Sequence, residues 1–449
     1  MGLLALLYYL FGKMVKQETK LTRHIGLLAL TFYGIGDILG AGVYGLIGKA
    51  AGELGNAVWL GFLISAIAAG ITGLTYASLG SRYPKAAGSA YVLQKAFGRP
   101  ILSYLIGMAV FFSGLTSMAT SSRVFAGYLH GLLPFIPYRL CIGLFIIALT
   151  LIVYRGIRES MWVNVLCTVI EISGLIVVIL VGASYIGDIN YLEMRTPANP
   201  GGAINWDIAF SGAVLTFYSF IGFEDMLNVS EEVKEPETTL PKGLLFAVAI
   251  SSLVYLAISF VAVSVVSPEL LAQSQQPLVD VVKAAAPSFP PQVFSAIALF
   301  AVANTALLNF VMASRLTYGM SKQGLLPRFL AKVHHKRKTP HIAIAVIALI
   351  LVVLVISGDI SNLAKSTSVL LLLSFLLMNL ALIRLKGIDR VRGRFEVPYI
   401  VPVAGAAICL LMLLNTRIPE VLIAIVLLAA ALVSYLLLRP KTEALDTLD

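Results

Sequence analysis

Four acidic residues lie within or directly beside interrupted apolar runs. They are Asp37 in GIGDILGAGVYGLIG (34–48), Glu171 in NVLCTVIEISGLIVVILVG, and Glu224 and Asp225 in FSGAVLTFYSFIGFEDMLNVSEEVKEP. Carboxylates in such surroundings suit holding a cation or carrying a proton. The first run also contains Gly40-Ala41-Gly42-Val43-Tyr44-Gly45, the G-x-G-x-x-G spacing of a dinucleotide turn. That turn needs a preceding strand, a following helix and an acid roughly 20 residues on. Here the glycines interrupt an apolar run and Glu53 follows much too soon, so nucleotide binding is excluded. No G-x-x-x-x-G-K-[ST] occurs, which removes a built-in ATPase. The five histidines (His24, His130, His334, His335, His341) fall at ends or loops, and no H-E-x-x-H occurs. An intramembrane enzyme would need clustered nucleophile, base or metal ligands at depth.

Gly36, Gly40 and Gly48 are spaced in multiples of four, as in a seam for close helix packing. A seam explains the glycines but leaves Asp37 without a reason. A carboxylate near the bilayer centre is costly, and interrupted backbone at that depth is tolerated where it lines a cavity. The first apolar run is therefore read as a discontinuous helix. Gly222, with Glu224 and Asp225 directly after it, interrupts the sixth run in the same manner. Paired interruptions in corresponding spans point to the central site of a transporter. If the first helix restarts near Ala41, the N–H groups of Ala41, Gly42 and Val43 face the gap and suit a carboxylate. Carbonyls around Ile38 and around Tyr218, Ser219 and Ile221 suit an ammonium group. A zwitterionic α-amino acid presents both.

The elements that must position these groups are membrane helices. Of 449 residues, 59% are hydrophobic and 12% charged, about half the charge of a soluble domain. Apolar runs long enough for a bilayer, roughly 20 residues each, recur from end to end. Twelve spans are drawn near 25–48, 57–80, 101–129, 139–154, 161–185, 207–229, 243–267, 293–318, 340–357, 360–384, 397–415 and 418–438. Lys and Arg on one set of loops outnumber those on the other several-fold, which puts both termini in the cytoplasm. The net charge of +10 is thus membrane sidedness and does not indicate nucleic acid; HHKRK (334–338) belongs to that pattern. Cys141, Cys167 and Cys409 all sit in apolar runs, as small core residues and neither a disulfide frame nor a zinc site. The N-terminal MGLLALLYYLFGK is too short to span. It reads as an interfacial turn, or as an extension ahead of a start at Met14.

Four segments together resemble the amino acid–polyamine–organocation (APC) transporter superfamily over nearly the whole chain. GIGDILGAGVYGLIG is similar to its first-helix pattern, and SRYPKAAGSAYVLQKAFG (81–98) to its first cytoplasmic loop. FYSFIGFEDMLNVSEEVKEPETTLPKG (217–243) resembles its sixth helix and following loop, and ASRLTYGMSKQGLLPRFLAKVHHKRKTP (313–340) the end of its eighth. The resemblance implies an all-α polytopic fold of 12 helices: a five-helix repeat over 25–185, an inverted repeat over 207–384, and two more helices over 397–438. Residues 1–24 and 439–449 are then a cytoplasmic or interfacial N-terminus and a cytoplasmic tail.

By the same resemblance Ile38, Gly40, Ala41, Gly42, Tyr218, Ser219 and Ile221 take substrate, with Val43 added by the N–H argument. Tyr218 and Phe223 sit where gating aromatics are found, against the plainer reading of bundle packing. Two residues depart from the pattern. Asp37 stands where a small or neutral polar residue is usual, and is either a substrate or cation contact or a cap at the break. Glu171 stands where some proton-coupled members have lysine. It is either a proton carrier, a cation ligand, or a partner of Lys365, Arg123 or a backbone group. The function implied is a secondary active transporter of amino acids, symporter or exchanger, with alternating access in the cell membrane. A coupling proton or sodium is its partner and no cofactor is needed. A polyamine or cationic amine carrier is the alternative, with Asp37, Glu224 and Asp225 facing a second cationic group. A transport-inactive sensor or scaffold is the remoter one.

Overall fold

The computed structural model describes residues 22–438 except 87, 275, 357–360, 389–390 and 417. Nearly all of the expected N-terminal segment (1–24) and all of the expected tail (439–449) lie outside the described residues. The first apolar run forms two helices, α1 (Leu27–Leu39) and α2 (Ala41–Leu54), divided at Gly40 with φ −40° and ψ −151°. Then come α3 (Val58–Arg82), α4 (Gly88–Phe97), α5 (Pro100–Leu132), α6 (Tyr138–Arg155) and α7 (Ile157–Gly182). α8 (Trp206–Phe217) begins under the Asn205 side chain, which accepts from the N–H groups of Asp207 and Ile208. It dissolves into short 3₁₀ turns, Tyr218–Phe220, Phe223–Leu227 and Ser230–Glu232. α9 (Pro236–Val265), α10 (Pro268–Gln273), α11 (Pro277–Ala285), α12 (Pro291–Lys322), α13 (His341–Ile356), α14 (Ser361–Ile388), α15 (Ile400–Leu414) and α16 (Ile418–Leu438) complete the chain.

Nine stretches among the described residues are long and apolar enough to cross a membrane, and three shorter apolar helices accompany them. No β-strand occurs among the described residues; Ile25 and Val233 form one isolated parallel bridge. This is an all-helical, polytopic membrane protein. Its three cysteines are free and buried.

Two regions drawn as loops from the sequence contain helices. α4 forms because Ala90, Val92 and Leu93 bury a short apolar face against α5 and α14. α10 and α11 each begin at a proline, whose fixed φ is already helical and whose missing N–H costs nothing in a first turn.

The centre is built by α9 lying along α3 and α1, and by α12 lying along α5 and α7. α1 also packs against α7 and α12. A Cβ on Gly36 would stand 2.2 Å from Thr168 Oγ1 and 2.3 Å from Asn304 Nδ2, so only glycine permits that approach. The polar knot it meets is internally bonded: the Asn304 amide donates to Thr168 (2.9 Å) and Asn164 donates to the Asn304 carbonyl (3.0 Å). The glycine spacing thus serves a packing seam as well as a break.

Candidate functional site

The two interruptions lie against each other. Gly222 has φ +134°, and a Cβ there would fall 2.9 Å from the carbonyl carbon of Asp37. A Cβ on Gly42 would fall 3.2 Å from Ser219 Cα. Side chains on both glycines are thus traded for contact between the backbones of two broken helices. Tyr255 of α9 is fully buried between them, with Phe62 and Phe220 around its ring. Its hydroxyl reaches the Ser219 carbonyl at 2.8 Å and the Ile38 carbonyl. One hydroxyl proton is shared between two carbonyls, one from each break.

Ile38, Gly40, Ala41, Gly42 and Val43 therefore share one locus with Tyr218, Ser219 and Ile221. No side chain caps the start of α2, which leaves the first-turn N–H groups of Ala41, Gly42 and Val43 available to an anion. Tyr218 and Ile221 are half-buried at the second break. Phe223 is fully buried, edge-on to Tyr76 (5.5 Å between ring centres) and stacked on Phe375 (5.2 Å).

Asp37, Glu224 and Asp225 converge beside Gly222, all three buried. Glu224 Oε2 accepts the Gly222 N–H at 2.9 Å and so holds the turn with positive φ. The Asp37 and Asp225 carboxyls lie beside each other. Asp37 Oδ2 and Asp225 Oδ1 have no partner. Asp37 does not cap α2, since no side-chain bond is made there. Glu171 of α7 is fully buried, and neither carboxyl oxygen has a partner. The adjacent Asn304 amide donates to Thr168 at 2.9 Å. Arg123 donates to the Val355 carbonyl at 3.0 Å and leaves Glu171 unpaired, while the Lys365 side chain lies outside the described residues. The backbone carbonyl of Glu171 takes the Tyr44 hydroxyl at 3.3 Å.

Two features escaped the sequence reading. Tyr255 is one tyrosine in an apolar run, with nothing in its spacing to single it out. Arg315 was visible as a charge at the end of a span, but its partner was not. It makes a two-pronged pair with Glu232 at 2.9 and 3.2 Å, both side chains fully buried. The Glu232 carbonyl also accepts the N–H groups of His24 and Ile25 at 2.9 Å each, and Lys234 N–H returns to the Ile25 carbonyl at 2.8 Å. The segment entering α1 is thereby stitched to the segment leaving the second break.

A polytopic helical bundle with two interrupted helices meeting at a buried polar locus has the design of a membrane transporter. The amino acid permease family model matches residues 25–433, and the chain belongs to that family. It is 28% identical over 453 residues to the branched-chain amino acid permease BcaP of Bacillus subtilis (strain 168), covering 96% of each chain. It is 27% identical to the methylthioribose transporter of the same organism, covering 88% of each. It is 28% identical to cationic amino acid transporter 4 of Mus musculus, covering 82% of this chain and 60% of that one. The chain is an amino acid transport protein of the membrane and not an enzyme, in keeping with the APC resemblance of its motifs.

Proposed function

We propose that the chain is a secondary active transporter that carries an amino acid by alternating access. Substrate binds between the interruptions. Its carboxylate meets the N–H groups of Ala41, Gly42 and Val43, and its ammonium group meets the carbonyls of Ile38, Tyr218, Ser219 and Ile221. The observation that carries this reading is the face-to-face contact of the two breaks, with Tyr255 bridging their carbonyls. Tyr218 and Phe223 gate the site. Asp37 and Glu171 are the ionisable groups through which a proton or sodium ion couples, because both are buried with unpartnered carboxyl oxygens.

The architecture proposed is twelve spans in two inverted five-helix repeats, 25–185 and 207–384, followed by two helices over 397–438. α1 lies along α9 as α8 lies along α3, a pairing that a pseudo-two-fold relation would produce. Both termini are cytoplasmic, with residues 1–24 and 439–449 on that side, and the membrane is the cell membrane. This follows from the loop charges.

A second reading is favoured by one feature. Asp37, Glu224 and Asp225 place three carboxyls beside the breaks, enough to receive the second positive charge of a cationic amino acid or polyamine. Reconstituted protein tested for uptake and exchange of leucine, alanine, arginine and putrescine separates the two. Accumulation of neutral amino acids supports the first reading, and a response confined to arginine or putrescine supports the second. Failure to bind or move any of them refutes both.

A further inference from the structure

A cavity of about 420 Å³ opens on the outside of the bundle where α1 begins, between that helix and α7. Its wall is apolar, formed largely by Leu28, Phe32 and Trp162, with Leu28 73% and Trp162 70% exposed. Its rim carries His24, Arg158 and Lys234, and no carboxylate lines it. Those basic groups come from three separate segments: the lead-in to α1, the first turn of α7, and the link between the second break and α9. None of the three makes an ion pair among the described residues. An apolar trough outside a membrane bundle, ending in clustered positive charge at the level where α1 and α7 start, matches a molecule with a long hydrocarbon chain and an anionic head.

We propose that this cavity is a binding site for an anionic phospholipid. The phosphate sits among His24, Arg158 and Lys234, and an acyl chain runs along Leu28, Phe32 and Trp162. Charge decides the occupant. The chain's own residues 1–21 are apolar at their start but carry Lys13, Lys16 and Lys20, which the basic rim repels. A zwitterionic lipid offsets its phosphate with its own cation and gains less from the same rim. Because Ile25 is bonded to Glu232 and Lys234, a phosphate held here ties the entry of α1 and the exit of the second break to α7. Lipid occupancy therefore reinforces the contact between those segments where they meet. The assignment rests on the membrane-spanning fold and not on which substrate is carried, so lipid binding and transport can fail separately.

The test uses the full chain purified in a neutral detergent. Native mass spectrometry and thermal shift are run with phosphatidylglycerol, with phosphatidylcholine of the same acyl chains, and with inorganic phosphate. Phosphatidylglycerol should be retained and should raise the melting temperature, while phosphatidylcholine and inorganic phosphate do neither. The double variant Arg158→Ala/Lys234→Ala should bind phosphatidylglycerol about twenty-five-fold more weakly, at about fivefold per basic residue. Both side chains are exposed, so the fold should survive; Arg158→Lys, which keeps the charge, should keep most of the affinity. Trp162→Ala should weaken phosphatidylglycerol binding through the chain alone. Equal retention of the two lipids overturns the proposal, as does wild-type affinity in the double variant. So does a full chain that retains no lipid because residues 1–21 fill the cavity.

Discussion

Replacing Arg315 by methionine tests whether the ion pair that joins α12 to the segment leaving the second break stabilises the protein through charge pairing. The pair with Glu232 is two-pronged, at 2.9 and 3.2 Å, and both side chains are 0% exposed. Desolvation of two ions consumes most of their mutual attraction, so the intact pair has little net worth against apolar residues of the same size. Removing one partner is different, because it leaves a buried charge uncompensated at a cost of about 3–5 kcal/mol. Arg315→Met should therefore lose about that much, and Glu232→Gln, which strands Arg315, a similar amount. The double variant Arg315→Met/Glu232→Gln should return to within about 1–2 kcal/mol of wild type, for the same reason. The assay is a double-mutant cycle on unfolding midpoints of the four purified proteins in detergent. Non-additivity of several kcal/mol is expected for residues in direct contact. If the double variant is as unstable as the sum of the singles, the pair is not the coupled unit described, and the reasoning fails.

Gly42→Leu should abolish substrate-induced thermal stabilisation while the protein still folds, since a Cβ there already stands 3.2 Å from Ser219 Cα and the larger side chain fills the gap between the breaks. Overpacking of this kind costs about 1–3 kcal/mol, and unchanged ligand binding would count against the carboxylate site. Glu171→Gln keeps the shape of a fully buried side chain and removes its charge, so transport should lose its dependence on pH or sodium. Transport by the variant with an unaltered pH and sodium profile contradicts a coupling role. Outside the membrane spans, burial pushes the Glu396 carboxyl up, but hydrogen bonds from Arg82, Gly393 and Lys386 outweigh it and hold it below the usual glutamate value. Its stabilisation is thus present above about pH 4.3 and is lost as pH falls through the lower folded value. Melting temperature should fall more steeply with acid in wild type than in Glu396→Gln; identical slopes between about pH 5 and pH 3 refute this.

Much of the architecture could be read from the chain because a bilayer simplifies the problem. A run such as IEISGLIVVILVG has few alternatives to a membrane helix once its backbone must be satisfied internally. The breaks were legible for the same reason. Gly40 and Gly222 interrupt apolar runs beside acids, and no soluble-domain rule explains both. The amphipathic pieces α4, α10 and α11 were not legible, because each is short and made helical by its neighbours. The closeness of the breaks was likewise hidden. It depends on Gly222 adopting φ +134° against the Asp37 carbonyl, and no local pattern encodes a contact across so much sequence.

Sequence alone determined that this protein lives in a membrane, that two of its helices are interrupted, and which backbone groups the interruptions release. Hydrophobic run length and glycine placement are local properties, and each acts within one helix. The tertiary structure decided which released groups meet. It put Tyr255 between the carbonyls of Ile38 and Ser219, brought Asp37 beside Asp225, and left Glu171 without the basic partner that Arg123 could have been. Those outcomes follow from how α9, α7 and α12 close around the breaks, where the helices that pack together are remote in the chain.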